Sequence, residues 1–418
     1  MTRVLALRDA RLYLIGQALS IFGDIALWLA AGIWVKTLTG STGAAGLVFF
    51  ALSLPQLLAP LAGLLVDRVR RRPLLIITNL VTGAAVLALL GVHDRGQVWL
   101  IYLVMLVYGA AYTLLGSGQS ALLIMLLPDE LLADGNGALQ TMRQGLRLVA
   151  PLAGAGLFVW RGAAFVVVLD ALTFLVAACT LAGVRVAEPA PEPRRRLGAE
   201  MAAGVRHVTR TVALRQMVIA TAVTVVGFGL SETLIFAVVD QGLHRPASFL
   251  GVLLTVQGVG GLVGGFTAAP LIRRTSEGRV AGVGMALAAV TSPMLALPSP
   301  APVFTGVLLF GVSLPWIVVG AYTLLQRRTP QRLQGRVYAA VDTLVGAPQT
   351  AAIALGAGLV AVVDYRALLV VLGLVVAVAG IWLLTRREQW LPPQPRTVAE
   401  LPEQLDARVE AMAAASTG

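Results

Sequence analysis

The chain has 418 residues, of which 57% are hydrophobic and only 13% charged, with a mean hydropathy of +0.83. A soluble domain carries about 25% charged residues, so this composition excludes a water-soluble fold and specifies an integral membrane protein. The formal net charge is +11, and all but one of the 32 basic residues are Arg, so the placement of that charge decides between nucleic acid and topology.

In chain order, the sequence predicts twelve apolar segments: 12–36, 43–66, 74–93, 98–126, 138–159, 163–184, 216–240, 247–271, 279–298, 302–325, 338–362 and 365–385. Each is near the ~20 residues that carry a helix across hydrocarbon. All are read as helices, because lipid offers the backbone no hydrogen-bond partner. The first segment is too long for a cleavable signal peptide and is followed by further spans. Cys179 is the single cysteine and stands in an apolar stretch, so no internal disulfide is expected.

The connections alternate in charge. One set holds Arg3, Arg8 and Arg11; Arg68, Arg70, Arg71 and Arg72; the Arg-rich stretch 185–215; Arg273, Arg274 and Arg279; Arg327, Arg328, Arg332 and Arg336; and Arg386 and Arg387. The other holds Lys36, Arg95, Arg161, Arg245 and Arg366, one to a loop, and none near Ser299. The positive-inside rule puts the first set, and both termini, in the cytoplasm. The basic charge is therefore a topology signal, and no nucleic-acid partner is expected. The stretch "EPAPEPRRRLGAEMAAGVRHVTRT" (188–211) is polar and Pro-rich at its start, with a surface helix expected from Leu197 onward. It divides the chain into a six-helix half (1–184), a linker (185–215), a second six-helix half (216–386) and a polar tail (387–418), the organisation of a duplicated transporter body.

Several polar residues fall inside the segments. In "SIFGDIALWLA" (20–30), Asp24 lies at mid-segment, where a carboxylate costs roughly 2.5–3.5 kcal/mol even on a lenient insertion scale. Gln17, Ser20 and Asp24 recur at i, i+3 and i+7 and share a helix face. Two readings of Asp24 stand: a protonation or cation site in a cavity wall, and a buried Asp that caps or pairs for structure. Glu232, in the seventh segment, is read as a second cavity acid or as an outer-gate hydrogen bonder, and Asp170, in the sixth, as structural. Arg147 neutralises an intramembrane carboxylate, attracts an anionic substrate, or snorkels to the headgroups; snorkelling suits Arg143 better. Gln119 and Gln257 are candidate hydrogen bonders to substrate. Trp28, Tyr112, Phe228, Trp316 and Tyr322 are either cavity aromatics or packing and interface residues. A cavity so lined would suit a large amphiphilic molecule.

The turn "GLLVDRVRRRPLL" (63–75) resembles the loop signature of the major facilitator superfamily, with matches at Gly63, Leu65, Asp67, Arg68, Arg71 and Arg72 and with Arg70 in place of the second Gly. Gly63 lets helices approach, and Asp67 can accept from a helix N-terminus or pair with an Arg as a cytoplasmic latch. Arg336 and Asp342 are candidates to join it. "IGQALSIFGDIALWLAAGIWVKTLTGS" (15–41), "LDALTF" (169–174), "GVRHV" (204–208) and "RTPQRLQGRVYA" (328–339) resemble the drug:proton antiporter branch that contains macrolide-efflux and enterobactin-export proteins. The resemblance implies an all-α fold of 12 transmembrane helices in two six-helix bundles, working as a monomer in a bacterial inner membrane and exchanging protons for an exported small molecule. The chain departs from the branch's antiporter signatures at Met105, where many members carry an Arg, and at Ala150, which replaces the Gly before Pro151; Gly154 and Gly156 survive.

Enzymatic readings fail on motif grounds. No phosphate-binding loop surrounds Lys36, the only lysine, which excludes ATP-driven transport by this chain. His93, His207 and His244 lack metal-ligand spacing, and no Gly-x-Ser-x-Gly elbow is present. No cofactor and no metal are expected. The expectation from these residues and this resemblance is a proton-coupled exporter of an amphiphilic small molecule, with protons carried by Asp24 and Glu232. Its rivals are a siderophore or metabolite exporter, a nutrient importer of the same fold, and a non-transporting sensor or lipid-handling protein.

Overall fold

A computed structural model describes residues 6–59, 62, 65, 69–128, 131–184, 197–330 and 333–390, and the regular structure among them is helical. The first half contains α1 (Arg8–Thr39), α2 (Thr42–Ser53, prolonged by a 3₁₀ turn, Leu54–Leu58), α3 (Arg71–Leu87) and α4 (Val98–Leu126). A continuous stretch, Leu132–Gly183, follows; its one non-helical residue, Gly162 (φ 79°), divides it into α5 (132–161) and α6 (163–183). The positive φ is one that glycine adopts freely, so the turn between two apolar passes needs only that residue. After the linker helix α7 (Leu197–Arg210) come α8 (Val212–Ala237), α9 (Leu250–Arg274), α10 (Glu277–Leu295), α11 (Pro300–Arg328), α12 (Gln334–Leu359) and α13 (Tyr365–Leu384).

Local chemistry sets the ends. Gly40, in the left-handed region at φ 69°, stops α1, and Ser41 then caps α2 by accepting from the Ala44 amide at 3.2 Å. Ser276 and Asp364 cap α10 and α13 in the same way. Nine helical stretches among the described residues are long and apolar enough to cross a bilayer; one of them contains both α5 and α6. Large apolar side chains such as Leu172, Val378 and Phe266 face outward, as expected where the solvent is lipid.

Small residues bring the helices together, since lipid supplies no hydrophobic drive between them. Gly16 lies against Thr180 and Gly23 against Thr173, so α6 runs antiparallel to α1. The buried core residues of α1–α6 cluster together, and those of α7–α13 form two further clusters. A fourth cluster joins the halves: Leu29, Ile33, Ala45, Phe49 and Ala155 from the first, and Phe236, Leu250 and Ile353 from the second. It sits toward the arginine-poor ends of the helices. The linker helix docks on the second half, where Gly204 meets the Arg336 carbonyl and the His207 ring bonds the Arg328 carbonyl at 3.0 Å.

A Cβ at Gly154 would stand 2.6 Å from Ala26 Cα, whereas one at Gly156 would meet nothing within 4 Å. Gly154→Val should therefore destabilise the first half by ~1–3 kcal/mol through overpacking, and Gly156→Ala should be neutral or slightly stabilising. Thermal unfolding of the purified variants in detergent checks both.

Candidate functional site

Between the halves lies a cavity of about 1800 Å³. Its α1 wall is Gln17, Ile21, Asp24, Ile25 and Trp28, a single helical face. Of the residues singled out in the sequence, Gln17, Asp24, Trp28, Tyr112, Gln119, Arg147, Phe228, Glu232, Gln257, Tyr322, Arg336 and Asp342 line it. Ser20 and Trp316 do not, which corrects the expectation for both. Ser20 is buried on the flank of α1 turned toward the face that Gly16 and Gly23 press onto α6. The Trp316 indole donates to Thr267 Oγ1 at 2.9 Å, tying α11 to α9. At the arginine-rich face the lining includes Gln56, Met201 and Arg336, so the cavity extends to that side.

Asp24 sits half-buried in the α1 wall, and its Oδ1 accepts from the Tyr108 hydroxyl of α4 at 2.5 Å. Tyr108 is buried and held edge-on to Phe174 of α6, with ring centroids 5.5 Å apart. Behind them Asp170 is fully buried; Thr173 Oγ1 donates to its carbonyl at 2.8 Å, and its Oδ2 has no hydrogen-bond partner. Gly23 is a glycine because a side chain there would run into Asp170 and Thr173. The Gly-Asp pair thus does two things: Gly23 admits α6, and Asp24 turns to the cavity. Tyr108 carries no signal of this role in the sequence. Nothing in "MLVYGAAY" distinguishes it from Tyr112 except the helix that faces it.

The arginine-poor end is closed. Lys36 is only 9% exposed, and its Nζ donates to Asp240 Oδ2 at 2.7 Å, to Thr42 Oγ1 at 3.0 Å and to the Gly40 carbonyl at 2.9 Å. Asp240 belongs to the π-helical turn that follows α8, so this ion pair joins the two halves. Below it Trp28, Phe49 and Phe236 form an aromatic chain, with centroids 5.3 and 5.8 Å apart. Gly46 admits Thr233 of α8, and Gly43 meets the Ala357 carbonyl of α12. The sequence signal for this lock was the position of the sole lysine at the end of a span.

The proposed latch residues Gly63, Asp67 and Arg68 lie outside the described residues. Arg72 donates to the carbonyls of Leu181 and Ala182 at 2.9 and 2.5 Å, which holds α3 to the end of α6 within the first half. Asp342 accepts from Tyr322 at 2.9 Å, within the second half, and Tyr322 stacks on Tyr338. Asp342 thus ties α11 to α12, and the cytoplasmic latch expected of it with Asp67 falls outside the described residues. Among the described residues no group of three His, Cys, Asp or Glu converges as a metal site would require.

The sequence profile of the Major Facilitator Superfamily matches residues 13–349 and again 217–412. The chain is 27% identical over 371 residues to an uncharacterized MFS-type transporter, y4rN, of Sinorhizobium fredii, across 85% of this chain and 88% of that protein. It is 27% identical over 175 residues to macrolide efflux protein A of Streptococcus pyogenes, across 41% of this chain and 43% of that protein. Among solved structures, a bacterial homologue of the iron transporter ferroportin in an inward-facing state gives a TM-score of 0.69 at 17% identity, over 91% of this chain and 99% of that one. The nucleoside transporter NupG gives 0.75 at 10% identity, over 90% and 99%. At such identities the likeness speaks for the fold.

Removing the Asp240 charge should loosen the closed end. With Asp240→Asn, acylation of Lys36 by an amine reagent should quicken by about threefold, the ratio that ~0.7 kcal/mol supplies. Peptide mapping of the purified protein reads this without ambiguity, because the chain has no other lysine.

Proposed function

Because the chain belongs to the Major Facilitator Superfamily, we propose that this multi-pass membrane transporter is a proton-coupled exporter of an amphiphilic small molecule. The observation that carries the reading is Asp24, a carboxylate in the cavity wall whose partner among the described residues is a neutral tyrosine hydroxyl. The positive-inside rule makes the arginine-rich face cytoplasmic, together with both termini. The cavity then opens to the cytoplasm of a bacterial cell and is closed outside by the Lys36–Asp240 pair. Bacterial relatives and the likeness to a macrolide efflux protein support the direction and the drug-like size of the substrate. The cavity is complete within one chain, which supports action as a monomer.

The mechanism follows from the cost of charge. While the cavity is open, water solvates an ionised Asp24. When residues 1–184 and 216–386 rock to occlude it, that water leaves. A bare carboxylate in low dielectric is then strongly disfavoured. The return is open to Asp24 carrying a proton and closed to the empty, charged protein; the outward passage is open when the substrate compensates the charge. One site that holds either a proton or a substrate, and never neither, exchanges the two. Glu232, in the wall contributed by α8, is the second candidate for this exchange.

In inverted vesicles with an imposed pH gradient, an amphiphilic substrate should dissipate the gradient through the wild-type protein. Asp24→Asn should lower that dissipation by about tenfold or more, the equivalent of ~1.4 kcal/mol of lost coupling. Tyr108→Phe should weaken it less. Wild-type dissipation in Asp24→Asn would sink the reading.

A further inference from the structure

Most charged side chains in the described core have a visible answer. Asp24 accepts from Tyr108, Asp342 from Tyr322, Lys36 pairs with Asp240, and buried Glu277 pairs with Arg327 at 3.0 Å. Three cavity residues are different: Arg143 of α5, one turn nearer the arginine-rich face, and the two that follow. Arg147 of α5 and Glu232 of α8 both line the cavity, and among the described residues neither has a hydrogen-bond or ion-pair partner. One is a base and the other an acid, and they come from opposite halves of the molecule.

In this arrangement they do not pair with each other. Gly154 of α5 touches Ala26, and Gly32, six residues further along α1, touches Phe236 of α8. Arg147 lies seven residues from Gly154 toward the arginine-rich face, and Glu232 lies four residues from Phe236 in the same direction. At the helical rise of ~1.5 Å per residue the two backbones are offset by roughly 13 Å along the helix axes. Between those levels the wall carries the aromatic side chains Trp28, Tyr112 and Phe228, with Asp24 and Gln257 as its polar interruptions.

We propose that the transported molecule is an elongated amphoteric amphiphile, with a cationic nitrogen group that meets Glu232, an acidic group that meets Arg147, and an apolar body between them. Such a molecule bridges the two halves, which is the contact that lets substrate binding drive their closure. Its cationic group takes the place of a proton on Glu232, so recognition and exchange share one atom set. A guanidinium holds a carboxylate or phosphate by paired N–H bonds, and a purely cationic amphiphile would leave Arg147 unmatched when water is expelled. This inference rests on the exporter reading and narrows its substrate.

The test uses the full-length protein in nanodiscs and three related dyes followed by fluorescence polarisation: rhodamine B, which is zwitterionic; rhodamine 6G, its cationic ester relative; and fluorescein, which is anionic. Wild type should bind rhodamine B about tenfold more tightly than either of the others, since a hydrogen bond to a charged group is worth about that factor. Arg147→Gln should erase the advantage over rhodamine 6G, Arg147→Lys should keep most of it, and Glu232→Gln should erase the advantage over fluorescein. Equal or tighter wild-type binding of rhodamine 6G, no binding of any dye, or unchanged selectivity in the variants would overturn the inference. The wild-type comparison stands even where a variant fails to fold. Selectivity without proton movement would overturn the antiport reading alone, and proton movement without selectivity would overturn this inference alone.

Discussion

A charge inside a membrane must be hydrated, paired or neutralised, and the architecture of this protein is organised by that constraint. Lys36 and Asp240 answer it by pairing across the two halves at the arginine-poor end. Glu277 answers it with Arg327 inside the second half. Asp24 has only a tyrosine hydroxyl and stands at the wall of the cavity. The first two pairs hold a conformation together. Asp24, under the proposed function, makes conformational change conditional on what the site holds.

Helix packing supports this division. The halves meet tightly at the arginine-poor end, through small residues and the aromatic chain of Trp28, Phe49 and Phe236. Toward the other end they part around the cavity. Within each half the contacts are of a different kind: Arg72 on the α6 carbonyls, Trp316 on Thr267, and α7 docked along α12. Under the proposed function these join helices that move together, and the Lys36 lock joins helices that separate. A single ion pair with one half-exposed partner is a suitable fastener, because its net worth is modest and reversible.

The fold was largely legible in the sequence, because hydrophobic length and arginine placement are strong one-dimensional signals. The expected segment 98–126 coincides with α4, and the linker helix begins at Leu197 as expected. The expected break near 160–162 is a single glycine, where composition suggested a short loop. The cavity face was legible where periodicity alone decides it, as for Gln17, Asp24 and Trp28. It misled at Ser20, which shares the spacing yet lies on the flank that packs toward α6. Partners were not legible. That Asp24 would meet Tyr108, that Asp170 would lie directly behind Gly23, and that Lys36 would find Asp240 are contacts between residues far apart in the chain. A single sequence has no local signal for them.

The central claim is that the charge on Asp24 couples two movements that could otherwise proceed independently. Exchange and accumulation separate these in proteoliposomes loaded with rhodamine B. Wild type should exchange labelled for unlabelled dye with no pH gradient and accumulate it when a gradient is imposed. Asp24→Asn should still exchange, because the neutral side chain passes through the occluded state freely, and should fail to accumulate under any gradient. Accumulation by Asp24→Asn at the wild-type level would contradict the account, and the coupling would have to reside elsewhere in the chain.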